Sequence, residues 1–169
     1  MNIYTDGSTT PKNPGHGGAG FIAFGNQQNY VKSWYLGEEV TNNQAETNAA
    51  LEAIYFAIDM NVKHVTIHTD SQYVVLGLRR LMQKREALST HSDLWQIIEG
   101  GLKKVTLKVI FVESHSGIVG NEVADALAYI ATGLVCYDEF IDKEDFDKFI
   151  ETLKERKKKR REEVRREKE

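Results

Sequence analysis

The order of strand-like and helix-like segments constrains this fold more than any other feature of the sequence. Three β-rich segments come first, at residues 1–5, 21–24 and 30–36. Helical patterns follow at residues 43–60, 72–85, 92–102 and 121–132, and β-branched segments lie among them at 65–69 and 105–112. The order βββαβααβα predicts an α/β fold with a five-stranded mixed sheet flanked by helices, in which the first three strands are antiparallel.

The segment between the first two predicted strands has the composition of a loop. Residues 6–20 are rich in Gly, Asn, Ser and Thr and contain both prolines of the chain, Pro11 and Pro14. We therefore expect the first strand to end at Asp6 and the second to begin at Phe21.

The length and composition fit one domain with an extension. The 169 residues are 41% hydrophobic, which is enough to form a core. We place a domain at residues 1–132 and a C-terminal extension at 133–169, which is acidic, then basic, and expected to be helical. The net charge of −3 argues against nucleic-acid binding, but residues 154–169 alone hold 10 basic and 5 acidic residues.

Some classes of protein are disfavoured by the sequence. Cys136 is the only cysteine, which excludes an internal disulfide and a multi-cysteine zinc site. The N-terminus has no signal-peptide pattern, and no apolar run approaches the roughly 20 residues of a membrane span. We expect a soluble, cytoplasmic protein that does not enter a membrane and is a monomer.

Four carboxylates occupy positions that suggest a shared site. Asp6 and Asp70 each follow a predicted strand. Glu46 shares one helical face with a row of alanines, and Asp125 lies in a helix that is nearly apolar all round. A carboxylate on a packed face needs a partner, because burying it unpaired is costly. The ordinary alternatives are aspartates that open turns and a surface glutamate near a helix N-terminus.

A divalent metal ion is the partner that this set of residues favours. No lysine or arginine lies between Lys108 and Lys143, so no nearby cation in the sequence meets Asp125. Oxygen ligands without a cysteine or histidine cluster favour Mg²⁺, with Mn²⁺ as the alternative. Two such ions about 4 Å apart form the clamp that is used for phosphoryl displacement. That the four carboxylates converge is a hypothesis at this point.

The ordered motifs of the chain resemble those of type 1 ribonuclease H over about residues 1–132. The matching segments are Tyr4-Thr5-Asp6-Gly7-Ser8, residues 13–20, Thr41-Asn42-Asn43-Gln44-Ala45-Glu46, residues 69–73, Asp93-Leu94-Trp95, His115-Ser116-Gly117 and residues 120–125. The resemblance implies an endonuclease that cuts the RNA strand of an RNA–DNA hybrid with two Mg²⁺ ions, leaving a 5′-phosphate and a 3′-hydroxyl.

The resemblance also implies roles for individual residues. The metal-binding carboxylates of the family fall on Asp6, Glu46, Asp70 and Asp125. The loop histidine, which assists proton transfer or product release, falls on His115. Residue 114 is serine where the family usually has glycine, so the mobility of this loop is an open question.

Contacts to the hybrid are implied at five further positions. These are Asn13, Thr41, Asn42, Asn43 and Gln72. Polar groups of this kind can recognise the 2′-hydroxyl that distinguishes RNA from DNA in the minor groove. The alternative role for each of them is turn formation or helix capping.

Two groups of basic residues are predicted to contact nucleic acid. The first is a shortened counterpart of the basic protrusion of some bacterial members and consists of Arg79, Arg80, Lys84 and Arg85. The second is the basic end of the C-terminal extension, which is expected to bind nucleic acid or a protein partner. A solvated helix face and a solvated tail are the respective alternatives.

Three other functions compete with a hybrid endonuclease. A DNA resolvase or integrase of the same superfamily is disfavoured by the Asp-Glu-Asp-Asp order and by the loop that carries His115. A non-catalytic binding module is disfavoured because all four acidic positions are filled. A reverse-transcriptase fragment is disfavoured because the chain starts with a methionine directly on the first strand.

Overall fold

The computed structural model describes residues 1–169 as one mixed sheet with five α-helices. The strands are β1 (Asn2–Thr10), β2 (Gly15–Phe24), β3 (Gln28–Val40), β4 (His64–Thr69), β5 (Thr106–Phe111) and β6 (Asp138–Asp142). The helices are α1 (Asn42–Asp59), α2 (Gln72–Met82), α3 (Ser92–Gly101), α4 (Val119–Ala131) and α5 (Phe146–Glu167). None of these helices has the length and apolar character that crossing a membrane requires.

The sheet has the strand order β5-β4-β1-β2-β3-β6. Strands β1, β2 and β3 are antiparallel, as the sequence predicts, while β4 pairs in parallel with β1 and β5. The mixed sheet flanked by helices is confirmed. The neighbouring parallel strands β1 and β4 bring the segments that carry Asp6 and Asp70 side by side.

The expectation of a loop at residues 6–20 is wrong for most of that segment. Strand β1 continues to Thr10 and β2 starts at Gly15, so only a short turn separates them. The glycines of β2 allow close packing and do not form a loop. A Cβ on Gly18 would lie 2.2 Å from the carbonyl oxygen of Ala128 in α4, so only glycine lets the helix approach this closely.

The sheet has six strands rather than the predicted five. Strand β6 pairs antiparallel with β3 and forms the edge of the sheet. Side chains reinforce this pairing: Tyr30 donates to Asp138, and Nε2 of Gln28 donates to Oδ1 of Asp142 over 2.7 Å. Ile141 of β6 is buried. The segment 138–142 therefore forms a strand where the sequence predicted helix.

Helices cover both faces of the sheet. Alternate residues of the strands point to opposite sides. On one side Ile3 and Phe21 pack with α1, α2 and α3. On the other side Ile22 and Val31 pack with apolar residues of α4 and with Leu153 of α5.

The C-terminal helix is docked on the domain rather than extended into solvent. Leu153, Arg160 and Val164 of α5 are buried, and α5 lies along α4. Arg160 is the main polar anchor: its guanidinium donates to Oγ1 of Thr132 and to Oγ1 of Thr10, each over 3.0 Å. The extension thus contributes one strand and one helix to the same body as residues 1–132.

Candidate active site

Three of the four predicted carboxylates converge at one edge of the sheet. Carboxylate oxygens of Asp6, Glu46 and Asp70 all lie within 4.8 Å of one another. Asp6 is in β1, Asp70 directly follows the neighbouring strand β4, and Glu46 is in the first turns of α1. The pairing of β1 with β4 and the packing of α1 on β1 therefore assemble the trio.

A glycine next to Asp6 makes this close assembly sterically allowed. A Cβ on Gly7 would lie 2.3 Å from the backbone nitrogen of Glu46 and 2.4 Å from the carbonyl carbon of Ala45. Any side chain at position 7 would push α1 away from β1. The backbone nitrogen of Gly7 also donates to Oδ1 of Asp6 over 2.9 Å, which orients that carboxylate.

Burial and mutual repulsion leave the trio electrostatically uncompensated. Burial, and then the charges of Glu46 and Asp70, raise the pKa of Asp6 well above its usual range. Burial is also the main cause that raises the pKa of Glu46 to about 8. Oε2 of Glu46 is buried and has no hydrogen-bond partner. Repelling carboxylates and an orphaned buried oxygen are what a divalent cation relieves, so these residues fit a metal ion.

Two polar residues that the sequence analysis did not assign hold Asp70. Oγ of Ser114 donates to Oδ2 of Asp70 over 3.0 Å, and Nδ2 of Asn121 donates to the same oxygen over 3.4 Å. Asn121 is buried, whereas Ser114 is exposed. The departure from glycine at position 114 is thus a hydroxyl that reaches a candidate ligand. The signals in the sequence were the departure from glycine at position 114 and, for Asn121, its place in the matching segment 120–125.

The fourth carboxylate, Asp125, meets a cation from the C-terminal helix. Oδ2 of Asp125 lies 2.5 Å from Nζ of Lys157, and both side chains are partly buried. The expectation that no cation meets Asp125 is therefore wrong, because the cation comes from a helix residue that is 32 positions away along the chain. Asp125 still faces the trio across the cleft, and its charge contributes to the raised pKa values of Asp6 and Glu46.

An open cleft of about 490 Å³ contains all four carboxylates and several predicted contact residues. Its polar lining includes Asn42, Asn43, Gln72, Ser114 and His115. His115 is exposed and adopts a left-handed backbone conformation with φ of 56°. The loop thus presents the imidazole to the cleft with no hydrogen bond restraining it.

Two predicted contact residues lie beside this cleft and have structural roles. Oγ1 of Thr41 accepts from the backbone nitrogen of Gln44 over 3.1 Å, so Thr41 caps α1. Oδ1 of Asn13 accepts from the backbone nitrogen of Asn42 over 3.0 Å, which ties the β1–β2 turn to the start of α1. Neither residue is among those that line the cleft.

The predicted basic group of the α2 region lies away from the carboxylates. Helix α2 ends at Met82, so Lys84 and Arg85 lie in the loop that follows it. Nε of Arg80 donates to the carbonyl oxygen of Glu86 over 2.9 Å and closes this loop. Arg79, Lys84 and Arg85 are exposed, and none of the four lines the cleft.

Comparisons with known proteins identify the family of this chain. The family model described as RNase H matches residues 1–132. Ribonuclease H of Orientia tsutsugamushi is 34% identical over 141 residues, which cover 76% of this chain and 79% of that protein. Ribonuclease H of Hahella chejuensis is 39% identical over 139 residues, which cover 76% of this chain and 90% of that protein.

Solved structures share the fold. RNase H1 from the halophilic archaeon Halobacterium salinarum has a TM-score of 0.63 at 24% identity and covers 79% of this chain and 98% of its own. LC11-RNase H1, solved in complex with RNA/DNA hybrid, has a TM-score of 0.63 at 25% identity and covers 79% of this chain and 96% of its own. The family match and the identity of the relatives show that this chain belongs to the ribonuclease H family and is an enzyme of that kind.

Proposed function

We propose that the protein is an endonuclease that hydrolyses the RNA strand of RNA–DNA hybrids and leaves a 5′-phosphate and a 3′-hydroxyl. The observation that supports it most is the convergence of Asp6, Glu46 and Asp70 within 4.8 Å in a family of ribonucleases. The complex of LC11-RNase H1 with an RNA/DNA hybrid supports the substrate class.

Two Mg²⁺ ions are the proposed cofactors, with Mn²⁺ as the alternative. Asp6, Glu46, Asp70 and Asp125 would hold them, because these residues offer only hard oxygen ligands and leave Oε2 of Glu46 without a partner. When bound, such a pair of ions lowers the pKa of the attacking water and stabilises the leaving oxygen.

The remaining residues of the cleft would bind and orient the hybrid. Asn42, Asn43 and Gln72 line the cleft, and their amides can donate to and accept from a 2′-hydroxyl, which only the RNA strand has. Asn13 supports Asn42 through the hydrogen bond to its backbone nitrogen. Thr41 fixes the first turn of α1 on which Asn42 and Asn43 lie.

His115 is proposed to move a proton or to assist product release. The imidazole is exposed beside the cleft and carries no hydrogen bond that would hold it in one position. The hydrogen bond from Ser114 holds the start of this loop beside Asp70. An imidazole can both accept and donate a proton, which the first of these roles requires.

One cleavage assay tests the proposal. The protein is incubated with end-labelled RNA–DNA hybrid, duplex DNA and single-stranded RNA in Mg²⁺ and in Mn²⁺. We expect cleavage of the hybrid RNA alone, with 5′-phosphate ends. Asp70→Asn should lose activity by several orders of magnitude, while Asp59→Asn, at the far end of α1, should keep it. Intact hybrid RNA in both metals would rule the proposal out.

A further inference from the structure

Helix α5 carries a row of cations along one side. The exposed basic residues at i, i+4, i+7 and i+11 are Lys154, Lys158, Arg161 and Arg165, and Lys168, the residue directly after the helix, continues the row at i+14. At 3.6 residues per turn, these five fall within an arc of about 80° and span about 21 Å along the helix axis. We call them the basic row.

The positive charges of the basic row are almost all without an acidic partner in the protein. Lys154 has a weak ion pair with Glu151, which is exposed and lies 3.4 Å away. The other four residues have no ion-pair partner within 4.0 Å. Three other exposed basic residues, Lys148, Lys159 and Arg166, lie about 120° to 140° around the helix from the centre of the basic row. Glu151, Glu155 and Glu162 lie between the two groups.

The basic row begins at the candidate active site. Lys154 and Lys157 line a cavity of about 570 Å³ together with Asp70, His115 and Asp125. From there α5 continues past the end of α4, where the buried Arg160 fixes it to Thr132 and Thr10. Thr10 is the last residue of β1, directly before the turn that contains Asn13. The helix therefore runs from the carboxylates toward the β1–β2 turn in a fixed position.

We propose that the basic row binds the phosphate backbone of the nucleic-acid substrate next to the cleft. This inference rests on the proposed function. A row of about 21 Å matches the axial length of about six base pairs, so several phosphates of one duplex face the five cations together. No exposed large apolar side chain lies on α5, which disfavours a protein partner on this face. The helix thereby supplies the electrostatic contact that Arg79, Arg80, Lys84 and Arg85 do not provide at the cleft.

Two triple variants with equal charge change test the proposal. The first removes three residues of the basic row with Lys158→Gln, Arg161→Gln and Arg165→Gln. The second removes three exposed basic residues outside the row with Lys148→Gln, Lys159→Gln and Arg166→Gln. None of the six substituted residues lines the cleft or has an ion-pair partner. Thermal unfolding of both variants checks that the fold is kept.

Binding of a fluorescent 20-base-pair RNA–DNA hybrid is measured by anisotropy in EDTA over a range of salt concentrations. For the first variant we expect binding that is at least about tenfold weaker near 0.1 M salt. The slope of the logarithm of the binding constant against the logarithm of the salt concentration should be shallower by about 2 to 3, since each lost phosphate contact removes about 0.9 from its magnitude. For the second variant we expect changes below about twofold.

The result separates this inference from the proposed function. Equal losses in the two variants, or no loss in the first, would overturn the role of the basic row even if the enzyme cleaves hybrid. Selective loss of binding in the first variant would support it even if no RNA is cleaved. An acidic protein partner instead of nucleic acid would leave hybrid binding unchanged in both variants, which also overturns the proposal.

Discussion

Nζ of Lys157 lies 2.5 Å from Oδ2 of Asp125, so the C-terminal helix reaches the fourth candidate metal ligand. The side chains are 25% and 30% exposed, and this places the pair at the edge of the cleft rather than in bulk solvent. A carboxylate oxygen that accepts from an ammonium group is less available to a cation. The extension therefore bears directly on the site, although it lies outside the residues that match the family.

Removing the Lys157 ammonium should strengthen metal binding. A partly exposed ion pair is worth up to about 1 kcal/mol, so Lys157→Gln should lower the dissociation constant for Mg²⁺ by about two- to fivefold. Isothermal titration calorimetry on protein freed of metal by chelation measures this. Lys158→Gln, at the neighbouring exposed position without a partner, is the matched control and should change little. Weaker or unchanged Mg²⁺ binding in Lys157→Gln would show that Lys157 and the metal ion do not compete for Asp125.

Replacing Arg160 should release the C-terminal helix. Only 6% of this side chain is exposed, and it donates to Thr10 and Thr132 as well as to Glu163 and Glu167. Arg160→Gln leaves the buried hydroxyls of Thr10 and Thr132 without this donor and removes two ion pairs, so we expect the free energy of unfolding to fall by about 2 to 4 kcal/mol.

Thermal unfolding and limited proteolysis measure the effect of Arg160→Gln. Trypsin should cut within residues 146–167 much faster than in the wild type. The neighbouring variant Arg161→Gln alters an exposed residue, so its stability should stay within about 0.5 kcal/mol. Equal stability of both variants would show that Arg160 does not anchor the helix.

The general fold was predictable from the sequence because its strands and helices have clear local patterns. The extent of β1 and β2 was not. Gly18 and Gly20 have the composition of a loop, and only the approach of α4 explains why glycine is needed at these positions inside a strand. Strand β6 was not predicted either, because it too depends on contacts between segments that are distant in the sequence. Residues 138–142 are mostly exposed, and pairing with β3 decides their conformation.

The trio of the candidate site was predictable to a large extent, because Asp6, Glu46 and Asp70 lie at recognisable positions of strands and helix. Lys157 was not predictable. It is 32 residues from Asp125 along the chain, and its position depends on how α5 docks on α4. The hydroxyl of Ser114 was visible as a departure from the family pattern, but its contact with Asp70, 44 residues away along the chain, was not.

A side chain at position 18 should disturb both the fold and the site. The Cβ of Gly18→Ala would meet the backbone of Ala128 at 2.2 Å, and neither backbone can yield easily. We expect a loss of about 2 to 3 kcal/mol in the free energy of unfolding and reduced activity, because α4 also carries Asp125. Chemical denaturation measures the loss.

Gly100→Ala is the control for Gly18→Ala. The nearest atom to a Cβ at position 100 is Oη of Tyr55 at 3.6 Å, which is an ordinary contact. Alanine in helix α3 should stabilise the protein by up to about 1 kcal/mol. If the two variants had the same stability, the close approach of β2 and α4 would not need glycine.

The metal-free protein should lose stability as the pH rises. Burial, together with the charges of Asp70 and Asp125, raises the pKa of Glu46 to about 8, while the unfolded chain has the ordinary value of 4.5. Between these values the folded protein holds a proton that the unfolded chain has released, so the free energy of unfolding falls with rising pH. The raised pKa of Asp6 acts in the same direction. Melting temperatures in EDTA between about pH 5.5 and 8 measure the fall.

Neutralising Glu46 should remove much of this pH dependence. Glu46→Gln cannot acquire the buried charge, so its melting temperature in EDTA should fall less with pH and should exceed that of the wild type near pH 8. Glu99→Gln, at an exposed position of α3, should behave as the wild type does. Mg²⁺ should raise the melting temperature of the wild type most at high pH, because the ionised carboxylates are the form that binds a cation. If the wild type and Glu46→Gln lost stability equally over this range, the buried carboxylate trio would not be the source of the pH dependence.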